Sequence, residues 1–181
     1  DDVVTGIRAR KTPEEVDHIR QTQRANEAAM RAAETLLREA VVDSDGDEAT
    51  DGDTPVLRHD GETLTSERVK VEIESTLLEA GCRLDETIVA CGADAADPHN
   101  RGSGPLRPDE PIIIDIFPRS KSTGYHADMT RTFLAGEPDD TVAEWFEFTH
   151  EALAAALDAV EPGVTGAAVH DAVCDVYEDA G

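Results

Sequence analysis

Apolar positions recur along this chain in two periods, and the change from one to the other separates helices from strands. From Pro13 onward, Val16, Ile19, Met30, Ala33 and Leu37 fall at helical spacing. Thr12-Pro13-Glu14-Glu15 supplies an N-cap residue, a first-turn proline and the reciprocal glutamate of a capping box. A helix is therefore predicted over about 13–41. Gln23 and Asn26 fall on its apolar stripe and read as lapses in burial. Val69, Ile73, Leu77 and Ala80 mark a second helix, starting at Thr65 or Ser66 and stopped by Gly81.

The pattern then shortens. Thr87–Cys91, Ile112–Phe117 and Tyr125–Leu134 read as strands, the first two separated by a loop of small residues, proline and glycine from Gly92 to Pro105. The polar turn Arg119–Gly124 lets the second and third strands pair as an antiparallel hairpin. Helical spacing returns after Asp139 or Asp140 and runs to about Val160, with Val142, Phe146, Leu153 and Leu157 as core candidates. A last helix starts at Thr165 with Val169, Val173 and Val176, and Gly181 suits its C′ position. Two helices, two or three strands and two more helices predict an α+β domain, its helices packed on a mainly antiparallel sheet.

Composition changes the picture in one respect. The 181 residues carry 40 Asp+Glu against 16 Lys+Arg, a net charge of -24, with Lys11, Lys70 and Lys121 the only lysines. Carboxylates spread along a lysine-poor chain fit a salt-in halophile, where concentrated salt screens self-repulsion; an ordinary acidic cytosolic protein is the plainer alternative. The charge argues against a phosphate-neutralising surface, so no nucleic-acid partner is expected. No stretch reaches the roughly 20 apolar residues of a membrane span, and the first residues lack the order of a signal peptide. With three cysteines and no CxxC pair, a reducing cytoplasm is expected. The acidic loop of about 43–60 holds Asp43-Ser-Asp-Gly-Asp-Glu, but Glu48 and Thr54 occupy positions where a calcium loop needs Gly and Glu. A solvated turn is expected there.

The unusual acid is Asp115, set between Ile112-Ile113-Ile114 and Ile116-Phe117. A lone buried carboxylate there would cost several kcal/mol. Alternation places Asp128 on one face with His126, Thr130 and Thr132. Two carboxylates pointing together need a shared proton or a cation. The alternative is an ion pair of Asp115 with Arg119 or Arg131, and from spacing alone the two readings stand level. His99, in the loop after Asp97-Pro98, reads by itself as a solvated side chain.

Taken together, Asp97-Pro98-His99, Ile112-Ile-Ile-Asp115 and Asp128-Met-Thr-Arg-Thr-Phe133 resemble the pita-bread metallohydrolases, which include methionine aminopeptidase, Xaa-Pro aminopeptidase, prolidase and creatinase. The opening Ile7–Glu15 looks like the start of the catalytic domain in the Xaa-Pro branch. The resemblance implies a pita-bread fold with a curved sheet and hydrolysis of an N-terminal peptide bond in a peptide or dipeptide. It implies two divalent metal ions, Mn favoured and Co or Zn fitting, with a homodimer as a common assembly. By the same resemblance Asp115 and Asp128 are metal ligands, His99 contacts substrate and, more weakly, Thr130 lines the pocket; His126, on the same face as Asp128, is an equally weak pocket candidate. The chain departs from the family pattern in the long turn Pro118–Gly124 and in Ile-Phe-Pro after Asp115. No Gly-His-Gly motif occurs, and the family's His and two Glu ligands are expected downstream. The expectation is therefore the N-terminal part of a catalytic domain, inactive alone. A non-catalytic binding module and a metal-independent creatinase-like hydrolase are the alternatives, and retention of Asp115 and Asp128 argues against both.

Overall fold

The computed structural model describes residues 3–43 and 54–180. A helix α1 (Val3–Ala9), not foreseen from the pattern, precedes α2 (Pro13–Glu39). The capping box starts α2 as expected: Glu15 N–H donates to Thr12 Oγ1 at 3.2 Å, and Thr12 N–H to Glu15 Oε2 at 2.7 Å. Three short strands follow, β1 (Val41–Asp43), β2 (Val56–His59) and β3 (Glu62–Thr63), forming an antiparallel sheet in that order. They correct the extent of the expected acidic loop. Val56 and Leu57 are buried, so that loop ends well before residue 60; its most acidic residues, 44–53, lie outside the described ones.

The helix α3 (Ser66–Glu79) begins under a Thr65 cap and buries Val69, Ile73 and Leu77. Gly81 ends it with a φ of 74°, the left-handed conformation a side chain resists. Ala80, expected on the buried stripe, is exposed. Then come β4 (Cys82–Arg83), β5 (Thr87–Cys91), a short 3-10 helix at Gly92–Ala96, β6 (Ile112–Ile116), β7 (Arg119–Ser120) and β8 (Met129–Phe133). The turn expected over Arg119–Gly124 is partly strand, because β7 pairs with β4. The central sheet runs β5-β6-β8, antiparallel throughout, with Asp115 opposite Ile88 on one side and Thr130 on the other.

One face of that sheet closes the core. Ile112, Ile114 and Ile116 are buried against Val89, Leu106, α3 and the Ala25, Ala29, Met30, Ala33 and Leu37 stripe of α2. The isoleucine run looks buried on both faces, yet only alternate residues are; Ile113 and Asp115 are half-buried on the other face. Asn26 is no lapse. It is fully buried, and its Nδ2 donates to Ile116 O at 2.9 Å, tying α2 to β6.

The chain divides into two compact units at residues 137 and 138. The second contains α4 (Asp140–Ala159), capped by Asp139, and α5 (Gly166–Ala180), which pack on each other. Their spans match the apolar spacing, but their expected core does not form. Phe146, Leu153 and Leu157 are more than half exposed, Val142 is half-buried, and Ala152 alone is buried in α4. Val169, Val173 and Val176 are half-buried.

Candidate metal centre

Three strands set the site. Thr87 of β5 donates its hydroxyl to Asp115 O at 2.8 Å, holding the backbone from which that carboxylate projects. Thr130 of β8, opposite Asp115 in the ladder, donates Oγ1–H to Asp115 Oδ1 at 2.8 Å. Asp128 lies one residue before β8 and is exposed. Partial loss of hydration, the Asp115 charge and a hydrogen bond between the two carboxyls push Asp128 above the usual carboxylate range. The alternation thus brings Asp115, Asp128 and Thr130 together on the open face.

The ion-pair alternative is not realised. Arg119 donates Nε–H to Gly124 O at 3.1 Å, and Arg131 donates to Thr130 O at 2.7 Å. Among the described residues no Arg or Lys pairs with either carboxylate. Two acids held together without a basic partner fit a cation, hard oxygen donors suiting Mg, Ca or Mn. Among the described residues no group of three or more His, Cys, Asp or Glu is placed to hold one.

His99 is hydrogen-bonded within its own loop. It is exposed in the loop after the 3-10 helix, and its N–H donates to Asp97 Oδ1 at 2.9 Å. The loop itself is pinned. Asn100 bridges from Asp94 Oδ1 to the Gly102 N–H at 3.0 and 2.9 Å. Gly102, with a φ of 70°, passes so close to β5 that a Cβ would lie 1.8 Å from Val89 O. Buried Ser66 Oγ reaches that same carbonyl at 2.7 Å, and Lys70 donates to Gly102 O at 2.7 Å.

His126 is exposed and lines a cleft of about 650 Å³ with Arg8, Lys11, Glu15, Arg119 and Tyr125. Tyr125 donates its phenol to Glu15 Oε1 at 2.6 Å, and Thr22 Oγ1 lies 3.4 Å from Tyr125 O. The Thr12 backbone bond, the Tyr125 phenol and the Thr12 side chain hold Glu15 below the usual range, and the same Glu15 raises Tyr125. Spacing alone carried no sign that residues 110 positions apart would meet.

The cysteines are all free; Cys82 is buried, and Cys91 and Cys174 half-buried. Burial pushes the Cys91 thiol to about 11, which keeps it protonated and unreactive. No helix of the described residues is long and apolar enough to cross a membrane.

A family model described as metallopeptidase family M24 matches residues 17–181. The "Probable dipeptidase PepE" of Mycobacterium bovis is 38% identical over 109 residues, 60% of this chain and 29% of that protein. The Xaa-Pro dipeptidase of Pyrococcus furiosus is 27% identical over 183 residues, covering 100% of this chain and 46% of its own length. Among solved structures, dipeptidase PepE from Mycobacterium ulcerans matches with a TM-score of 0.77 at 30% identity, over 99% of this chain and 43% of that one. The chain therefore spans less than half the length of these relatives, and it shares with them the α+β pita-bread fold expected from the sequence.

Proposed function

The chain belongs to metallopeptidase family M24, and from that premise we propose that it is the N-terminal part of the catalytic domain of a metal-dependent exopeptidase cleaving N-terminal peptide bonds. Its substrates in this reading are short peptides or dipeptides of the Xaa-Pro kind; the Pyrococcus furiosus relative is named an Xaa-Pro dipeptidase and the Mycobacterium bovis relative a probable dipeptidase. The observation that supports it most is the Asp115–Asp128 pair, two carboxyls in contact on the open sheet face with no basic partner among the described residues.

Asp115 and Asp128 would hold divalent cation through their oxygens, Mn being favoured by the family resemblance and Co or Zn also fitting mixed carboxylate and imidazole ligation. A bound ion pair in such a site supplies a water of lowered pKa and polarises a scissile carbonyl. Thr130 fixes the orientation of the Asp115 carboxylate by donating to Oδ1. His99, exposed on its pinned loop, offers a hydrogen bond to the carbonyl oxygen of the substrate as charge develops there. His126 would be a pocket residue in this reading; the cleft that it lines includes none of Asp115, Asp128, Thr130 and His99.

With two carboxylates of a larger ligand set, the 181-residue chain alone binds cation weakly and does not turn over. The protein extended through the rest of the family domain hydrolyses Xaa-Pro dipeptides when loaded with Mn²⁺. Asp115→Asn and Asp128→Asn each abolish that hydrolysis while leaving the circular dichroism of the fold intact. Native-like turnover by the short chain, or full activity in either variant, would overturn the assignment.

A further inference from the structure

The two carboxylate-bearing segments are joined by the connector 116–127, and both of its ends are fastened to the same helix. Asn26 Nδ2 donates to Ile116 O, one residue after Asp115, at 2.9 Å. Thr22 Oγ1, which donates to His18 O at 3.1 Å, also lies 3.4 Å from Tyr125 O, three residues before Asp128. The His18 ring packs on the Tyr125 ring with centroids 5.8 Å apart, and Glu15 accepts the Tyr125 phenol at 2.6 Å.

Glu15, His18, Thr22 and Asn26 are separated by three, four and four residues, so they form one polar stripe along α2. Its inner member is the costly one. Asn26 is wholly buried, and its Oδ1 has no hydrogen-bond partner, so the helix retains an uncompensated polar atom to keep the bond to Ile116. A leucine of similar size would remove that orphan, but it would also take the donor away from the Ile116 carbonyl. A buried amide kept at a cost, aimed at the strand end beside Asp115, calls for a purpose other than packing.

We infer that the polar stripe of α2, with Asn26 at its buried end, is a positioning device that sets the separation of Asp115 and Asp128 by clamping both ends of the connector between them. This rests on the metallopeptidase assignment for its purpose, though the clamp itself is a property of the apo chain. Asn26 acts through Ile116 and touches neither carboxylate, so it is a positioning residue.

The test replaces Asn26 by Leu in the full chain and follows three quantities. Thermal unfolding gives stability, backbone amide NMR gives local geometry, and Mn²⁺-induced broadening of the Asp128 amide gives ion affinity. The clamp predicts a variant that still folds, the orphaned amide oxygen being exchanged for a carbonyl that has lost its donor, with Mn²⁺ affinity lowered about tenfold, as loss of an outer support typically does. Amide shifts change at 115–117 and 128–130 but not at the far strand ends, 112–113 and 132–133. A stable variant with unchanged Mn²⁺ affinity and no shift at 128–130 overturns the inference, since a purely structural bond would leave both alone. Should the wild type take up no Mn²⁺ at this pair, the metal assignment fails separately, and the amide shifts alone decide for or against the clamp. Should Asn26→Leu fail to fold, Tyr125→Phe loosens the outer end of the same connector, and the same two readouts apply.

Discussion

The two faces of β6 are built from adjacent residues and behave in opposite ways. Ile112, Ile114 and Ile116 have no exposed surface and close the core against α2 and α3. Asp115, between two of them, is half-buried on the face where Thr130 and Asp128 gather. The core face is insensitive to which apolar residue fills it provided the volume is right, whereas the open face depends on individual oxygen atoms. A five-residue strand thus separates stability from chemistry by the two-residue pleat alone.

Mutations on the two faces should therefore separate cleanly. Ile114→Ala should cost about 2–5 kcal/mol by chemical denaturation, because a fully buried side chain leaves a cavity. What remains folded should still show the raised Asp128. Asp115→Asn should do the reverse. Asp128 is held above the ordinary carboxylate range, so its contribution to stability is complete below the unfolded pKa and is lost as pH rises through the folded one. Removing the Asp115 charge should bring Asp128 down toward its usual value, read by carbon-13 carboxyl titration, and flatten the stability profile across that window. An Asp128 unmoved by the substitution would mean that the two acids are not coupled. The smallest effect is expected on α4, where Phe146→Ala should change unfolding by about 0.5 kcal/mol or less, because the side chain is 55% exposed.

That last case shows where the sequence was readable and where it was not. Periodicity located α2, α3, α4 and α5 within about two residues at nearly every end, since caps such as Thr12, Thr65 and Asp139 are local signals. It could not say which apolar stripes find a partner. Val69, Ile73 and Leu77 are fully buried; Phe146, Leu153 and Leu157 also fall on one helical stripe and are more than half exposed. Strands of two to four residues, such as β3, β4 and β7, are too short for any alternation to show. Asp115 and Asp128 were legible because strand alternation and a family motif coincide on them. Asn26 was not, because an amide on an apolar stripe looks the same whether it is a flaw or a tether; only the carbonyl of Ile116, 90 positions away, distinguishes the two.

The open face as a cation site is the claim on which the functional assignment depends. Its most direct test is substoichiometric Mn²⁺ added to the isotope-labelled chain, with amide broadening followed residue by residue. The coat of carboxylates will attract the ion everywhere to a small degree, so position is what decides. The account predicts that Asp115, Asp128 and Thr130 broaden first and that Asp128→Asn removes this selectivity. Broadening spread evenly over the acidic surface, with those three no faster than the rest, would contradict it.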